Sequence, residues 1–312
     1  MASFLGIDTS NYTSSAALYN TADGVVRQQK KPLPVAQGRI GLRQSDAVFA
    51  HVKQLGAIVE TLFRDTPDSL AAVGVSARPT NAPGSYMPCF LAGEMAARCV
   101  AASHSAPLYV FSHQAGHIAA ALYATGTLRL INEPFLAFHI SGGTTDCLLV
   151  RPRKADVFDV LCICKALDLH AGQAVDRVGH MLGLPFPAGP ALEELALRSA
   201  RVFDPKPAFK GVNPCLSGLE NQCRTMLEKG EAPCDIARYC LDFLAVVILT
   251  MTREALKTYP GLPLVYAGGV MANTLIRAAV EREYTCYFAP PVFSADNAAG
   301  TAVLAAVAHG YL

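Results

Sequence analysis

Charge is scarce in this chain. Of its 312 residues 16% are Asp, Glu, Lys or Arg, and 26 basic against 25 acidic side chains leave a net charge of +1. A balance so close to neutral provides neither a basic nucleic-acid arm nor an acidic tail, and with 52% hydrophobic residues it excludes a disordered chain. Long apolar runs are missing as well. Phe243 to Leu249 and Ala302 to Ala308, among the longest, fall far short of the roughly 20 residues that a membrane-spanning helix needs. The start, MASFLGIDTSN, lacks a basic segment and turns polar early, which predicts a first strand rather than a secretion signal, and a cytoplasmic protein. The cysteines Cys89, Cys99, Cys147, Cys162, Cys164, Cys215, Cys223, Cys234, Cys240 and Cys286 form no C-x-x-C pair and stand in apolar context, which predicts reduced core thiols.

What is present is a core-forming chain long enough for two lobes, because a single hydrophobic core seldom grows past about 250 to 300 residues. A repeat supports the division. The segment from Phe4 to Tyr19 resembles the segment from Phe135 to Val150, 131 residues later, and both read as apolar strand, tight Ser/Thr/Gly turn, apolar strand. Such turns bring backbone N–H groups close to an anion, and their hydroxyls add donors toward phosphate oxygens. Taken singly, each also reads as an ordinary hairpin.

Between and after the repeats, Ala47 to Phe63 carries helical spacing through Ala47, Val48, Val52, Leu55, Ile58, Val59 and Leu62, and Ala71 to Val75 predicts a buried strand. Cys89 to Ala102 and Ala237 to Leu256 predict helices. A strand at Pro263 to Ala267 runs into Gly268-Gly269 and then a helix, an order that aims backbone amides at a ligand. The small-residue helix from Asn297 to His309 is expected to fold back onto the N-terminal lobe. Residues 1–125 and 126–296 are the two expected lobes, with 297–312 packed on the first.

The sharpest local signal is His113-Gln114-Ala115-Gly116-His117 at the head of a helix-favouring run. At i and i+4 both imidazoles project from one face and are able to share a metal, though two structural histidines would look the same. The residue after His113 is not the glutamate of H-E-x-x-H, so the general base of a zinc peptidase is absent. A third ligand is needed, and Asp296 in Phe293 to Gly300 is a candidate, although an acid at a helix start is ordinarily a cap. Asp176 and Arg177 lie on an amphipathic helical pattern, and Pro185 to Glu193 forms a rigid turn leading into a helix.

The order of these motifs carries more than any one of them. HQAGH, ISGGTTD, AGQAVDRVGHMLGLPFPAGPALEELA, LVYAGGVMAN and FSADNAAGTA together resemble the tRNA threonylcarbamoyladenosine transferase family over nearly the whole chain. The resemblance implies an α/β, actin-like and hexokinase-like (ASKHA) fold of two duplicated lobes with nucleotide in the cleft. It implies that His113, His117 and Asp296 ligate one divalent metal, iron or zinc. It places an adenine nucleotide, ATP, AMP or threonylcarbamoyl-adenylate, against Ser141, Gly142, Gly143 and Thr144 on the phosphate side, Asp176 and Glu193 at the sugar or acyl portion, Gly189, Gly268 and Gly269 at close backbone approaches, and Asn273 at the adenosine. Transfer to the N6 amine beside the anticodon of tRNA, helped by partner subunits and without a membrane, would follow.

Three departures set this chain apart. The family's E-T-S-C-D-E-T reads Asp8-Thr9-Ser10-Asn11-Tyr12-Thr13-Ser14, so Tyr12 and Thr13 replace an acidic pair associated with transfer; S-G-G-H-T reads Ser141-Gly142-Gly143-Thr144-Thr145; and P-G-G-P reads Pro187-Ala188-Gly189-Pro190. These changes open two alternatives: a paralogue with a carbamoyl-adenylate-type donor and another acceptor, or a non-catalytic nucleotide-binding scaffold. A sugar or acid kinase would follow from the fold only and gives no reason for paired histidines.

Overall fold

The computed structural model describes residues 2–10, 12–34, 42–64, 69–154, 156–294 and 298–312. In chain order the elements are β1 (Ser3–Asp8), β2 (Thr13–Asn20), β3 (Val26–Pro32), α1 (Gln44–Arg64), β4 (Leu70–Arg78), α2 (Phe90–Ser103), β5 (Leu108–Ser112) and α3 (His113–Ala124). A short 3-10 turn leads on to β6 (Phe135–Ile140), β7 (Thr145–Arg153), β8 (Val157–Lys165), α4 (Ala171–Met181), α5 (Gly189–Ala196), β9 (Ala208–Lys210), β10 (Asn213–Cys215), α6 (Ser217–Glu228) and α7 (Pro233–Thr258). The remainder is β11 (Leu264–Ala267), α8 (Thr274–Glu283), β12 (Tyr287–Phe288), α9 (Pro291–Ser294) and α10 (Ala299–Ala308).

The repeat seen in the sequence is a repeat of topology. One five-stranded sheet runs β3-β2-β1-β4-β5 and the other β8-β7-β6-β11-β12. In each, the central strand pairs antiparallel with the hairpin partner after it and parallel with the strand on its other side. The hairpin registers coincide under the 131-residue offset: Phe4 faces Tyr19 and Leu5 faces Leu18, as Phe135 faces Val150 and Leu136 faces Leu149. This is the duplicated α/β, actin-like fold.

By contacts the chain divides into one unit of residues 1–133, 151–160 and 292–312 and a second of 134–150 and 161–291. In the first, α1 buries Ala47, His51, Leu55, Ile58 and Leu62 at helical spacing, and Leu55, Ile58 and Leu62 join Leu5, Ile7, Val73 and Val75 in one core. Val52, expected on that inner stripe, is exposed, and His51 takes the inward place. On the other side of the sheet α10 packs its small residues against β1 and β4. A Cβ on Gly6 would overlap the backbone of Ala302, and one on Gly74 would come within 2.6 Å of the Thr301 carbonyl oxygen, so the helix lies directly on the sheet.

The second unit is built around α7, whose Ile236, Cys240, Phe243, Leu244, Val247 and Met251 are buried under β6 and β7. Phe138, Tyr266 and Phe288 stack across β6, β11 and β12, with centroids 4.6 and 5.1 Å apart, and the buried Tyr266 hydroxyl is matched by Thr252 Oγ1 at 2.8 Å. All ten cysteines are unbridged; Cys89, Cys147, Cys164, Cys223 and Cys240 are buried as core thiols, whereas Cys99 and Cys162, expected in the core, are exposed. Burial pushes the Cys164 thiol up to about 12. No described helix is long and apolar enough to cross a membrane.

Candidate functional site

The turn between β6 and β7 is held by its own hydroxyls. Ser141 Oγ accepts from the backbone N–H of Gly143 and Thr144, both at 3.2 Å, and meets Thr144 Oγ1 at 2.8 Å, leaving Gly142 and Gly143 exposed at the tip. The start of α4 is tied to this turn. Thr145 Oγ1 accepts from Ala171 N–H at 2.8 Å and Ser141 carbonyl from Gly172 N–H at 3.0 Å. A Cβ on Gly172 would stand 2.6 Å from the nitrogen of Gly142, so only glycine lets helix and turn meet.

From α4, Asp176 Oδ1 accepts the Ala188 N–H at 2.9 Å and thereby fixes the Pro187–Pro190 turn that opens α5. From α5, Glu193 Oε1 accepts from Thr274 N–H at 2.7 Å and from the Thr274 hydroxyl. Asn273 caps α8, its Oδ1 accepting from Leu275 and Ile276 N–H at 3.1 Å each. Glu193 and Asn273 thus meet at the N-terminus of one helix, where the backbone dipole favours negative charge.

These segments enclose a cavity of about 360 Å³ within the second unit. Of the ten residues expected to hold a nucleotide, Gly142, Asp176, Gly189, Glu193, Gly269 and Asn273 line it, and Ser141, Gly143, Thr144 and Gly268 do not. Ser141 and Thr144 shape the turn from behind. Gly268, at φ +104°, lies where a Cβ would overlap the Ile140 carbonyl, so its close contact with β6 already requires glycine there. The walls that sequence reasoning missed are apolar: Val175, Leu241, Val270 and Ile276. Leu241 arrives from the middle of α7, and no local motif announces it. The size and the mixture of apolar walls with two carboxylates suit a nucleoside.

In the first unit, His113 and His117 stand on the first two turns of α3, whose cap Ser112 accepts the Ala115 N–H at 3.2 Å. Their Nε2 atoms face each other at 2.9 Å, and His113 Nδ1 meets Asp8 Oδ2 at 2.8 Å. Burial would raise the Asp8 carboxyl, but the charge of His113 and hydrogen bonds from His113, Ser10 and Ser76 outweigh it and hold Asp8 below the usual carboxylate range. Asp296 lies outside the described residues, and among the described residues no group of three His, Cys, Asp or Glu side chains converges as a metal-ligand set. Two convergent imidazole nitrogens, one ring held from behind by a carboxylate, nonetheless fit the donor chemistry of a divalent transition metal. Asp8 is the residue that motif reading passed over. Its sequence signals are an acid ending an otherwise apolar strand and its match to the first acidic position of E-T-S-C-D-E-T.

A model of the family TsaD, tRNA N6-adenosine threonylcarbamoyltransferase, matches residues 37–303. This chain belongs to that family. The tRNA N6-adenosine threonylcarbamoyltransferase of Bacillus subtilis is 31% identical over 323 residues, covering 97% of this chain and 90% of that protein, and the one from Streptococcus suis is 31% identical over 320 residues, covering 98% and 91%. As a threonylcarbamoyltransferase family member the chain is a transferase. Among solved structures, component A of the (R)-2-hydroxyglutaryl-CoA dehydratase of Acidaminococcus fermentans matches with TM-score 0.57 at 16% identity, covering 99% of each chain. HypF of T. kodakarensis matches with TM-score 0.63 at 13% identity, covering 99% of this chain and 47% of its own. At such identities the likeness speaks for the actin-like fold only.

Proposed function

We propose that this family member transfers threonylcarbamoyl from threonylcarbamoyl-adenylate to N6 of the adenosine beside the anticodon of tRNA, as a cytoplasmic enzyme working with partner subunits. The observation that carries the reading is the convergence of Gly142, Asp176, Gly189, Glu193, Gly269 and Asn273, from three separate motifs, on one nucleoside-sized cavity. Val175, Leu241, Val270 and Ile276 would pack the purine, and the carboxylates of Asp176 and Glu193 would accept ribose hydroxyls. Gly142 and Gly143 offer backbone at the turn where the phosphate would sit. The N6 amine attacks the carbamoyl carbon: the N–C bond forms, the C–O bond to phosphate breaks, AMP departs and N6 releases one proton. Holding the adenylate by its nucleoside positions that carbon and prepays the entropy of encounter.

His113 and His117, with Asp296 as the expected third ligand, would hold the divalent metal, iron or zinc. Such an ion would supply Lewis-acid stabilisation of developing negative charge. The double change His113→Ala, His117→Ala is expected to abolish stoichiometric metal in the purified, folded protein, as read by elemental analysis; retained metal would refute the assignment.

The deciding experiment is transfer of radiolabelled threonylcarbamoyl from its adenylate to unmodified tRNA, with the host's partner subunits and controls lacking each component. Label on tRNA is expected. Tyr12 and Thr13 favour a second reading, a changed acceptor, and adenylate binding with unlabelled tRNA would select it.

A further inference from the structure

Asp8 has no part in the chemistry above, yet its surroundings are among the most fully specified in the first unit. It ends β1, is wholly buried, and takes the Ser10 N–H on Oδ1 at 2.8 Å and meets His113 Nδ1 with Oδ2 at 2.8 Å. The Ser76 hydroxyl from β4 also hydrogen-bonds the carboxylate, and Ser76 Oγ lies 3.1 Å from Thr301 Oγ1 on α10. Each direction in this chain follows from the one before. An ionised carboxylate only accepts, so Ser76 gives Asp8 its single proton and its oxygen must accept from Thr301. In its neutral, metal-binding form His113 carries its one N–H on Nδ1, toward Asp8, and turns Nε2 to His117 as an acceptor.

That nitrogen is aimed. His117 Nε2 meets it at 2.9 Å, a hydrogen-bond distance, with the rings at 77°, close enough for the two to bind one ion. An ordinary buried His–Asp pair would direct nothing at a second imidazole. The backbone is arranged to bring the relay together: a Cβ on Gly116, between the two histidines, would stand 3.0 Å from Thr301 Oγ1 and 3.8 Å from Ser76 Oγ.

We propose that Asp8 is a positioning residue for the metal pair. It locks His113 in the tautomer that presents Nε2, and Thr301 acting through Ser76 holds Asp8 in place. The inference rests on reading His113 and His117 as metal ligands.

The test uses the full chain stripped of metal, with Asp8→Asn and Thr301→Val, and two readouts. Imidazole nitrogen NMR reports the tautomer without any metal. His113 is expected as the Nδ1–H form in the parent and as the Nε2–H form in Asp8→Asn, whose amide can donate to Nδ1. Titration with zinc is expected to show Kd raised about 10- to 100-fold in Asp8→Asn, the usual effect of losing a partner behind a ligand, and by a smaller factor in Thr301→Val. Unchanged tautomer and unchanged Kd in Asp8→Asn would overturn the proposal. If the parent binds no zinc, the metal reading fails by itself and the proposal with it, whatever the tautomer. Should Asp8→Asn not fold, Thr301→Val decides: a tautomer and Kd equal to the parent's would overturn the relay, and a shift in both would support it.

Discussion

Gly268 shows how a residue in a ligand-like motif can be fixed by the fold. At φ +104° with the Ile140 carbonyl where its Cβ would be, it admits no side chain. Gly268→Ala is expected to cost roughly 2–4 kcal/mol, a strained backbone plus a clash, read as a lower urea midpoint with unchanged slope. Asp168 is the complementary case of a polar side chain holding a junction. Its carboxylate accepts from Leu169 and Leu216 N–H at 2.8 and 2.7 Å and from Ser217 N–H and hydroxyl at 3.1 and 2.5 Å, joining the β8–α4 connection to the start of α6. Burial works to raise its pKa, but these hydrogen bonds outweigh it and hold the group below the usual carboxylate range. With the folded value below the unfolded one of about 3.9, its contribution is present above that pH and is lost as pH falls through the folded value. Asp168→Asn is therefore expected to destabilise by about 1 kcal/mol at pH 7, since the site is exposed and acts as a helix cap, and by progressively less below about pH 4. Urea unfolding at the two pH values checks it.

Among the elements, the crossing of α3 and α10 bears most directly on the paired histidines. A Cβ on Gly300 would overlap the Gly116 carbonyl and stand 2.6 Å from the Ala120 nitrogen. Gly300→Ala should force the helices apart, lowering stability by about 1–3 kcal/mol and reducing metal content with it, measured by thermal unfolding and elemental analysis. Such crossings mark the boundary of what the sequence discloses. The stripe Ala47, Leu55, Ile58 and Leu62 on α1 is legible because helical periodicity is local, and the repeated hairpins are legible because two copies agree. His51 inside and Val52 outside were not, since burial of a histidine depends on Ser14, whose hydroxyl meets its Nδ1 at 2.8 Å from another element. At the candidate site, Asp176, Glu193 and Asn273 were readable from motif order. The partners Ala188 of Asp176 and Thr274 of Glu193 were not, nor was the Leu241 wall, because each is a meeting of separate segments.

For the molecule as a whole, the cavity belongs to the second unit by itself. AMP at 100 times its Kd is expected to stabilise the protein by about 2.7 kcal/mol. Hydrogen-exchange protection is expected to gather near Gly142, Asp176, Gly189, Glu193 and Asn273, and Glu193→Ala should weaken both effects. The first unit has a different dependence. It is assembled from three stretches of sequence, and the alanines of α10 close the face of β1 and β4 that would otherwise lie bare. During synthesis on the ribosome, that face has to wait for α10, whereas the second unit already has all its residues by Pro291. The half that is translated first is thus the half that finishes folding last.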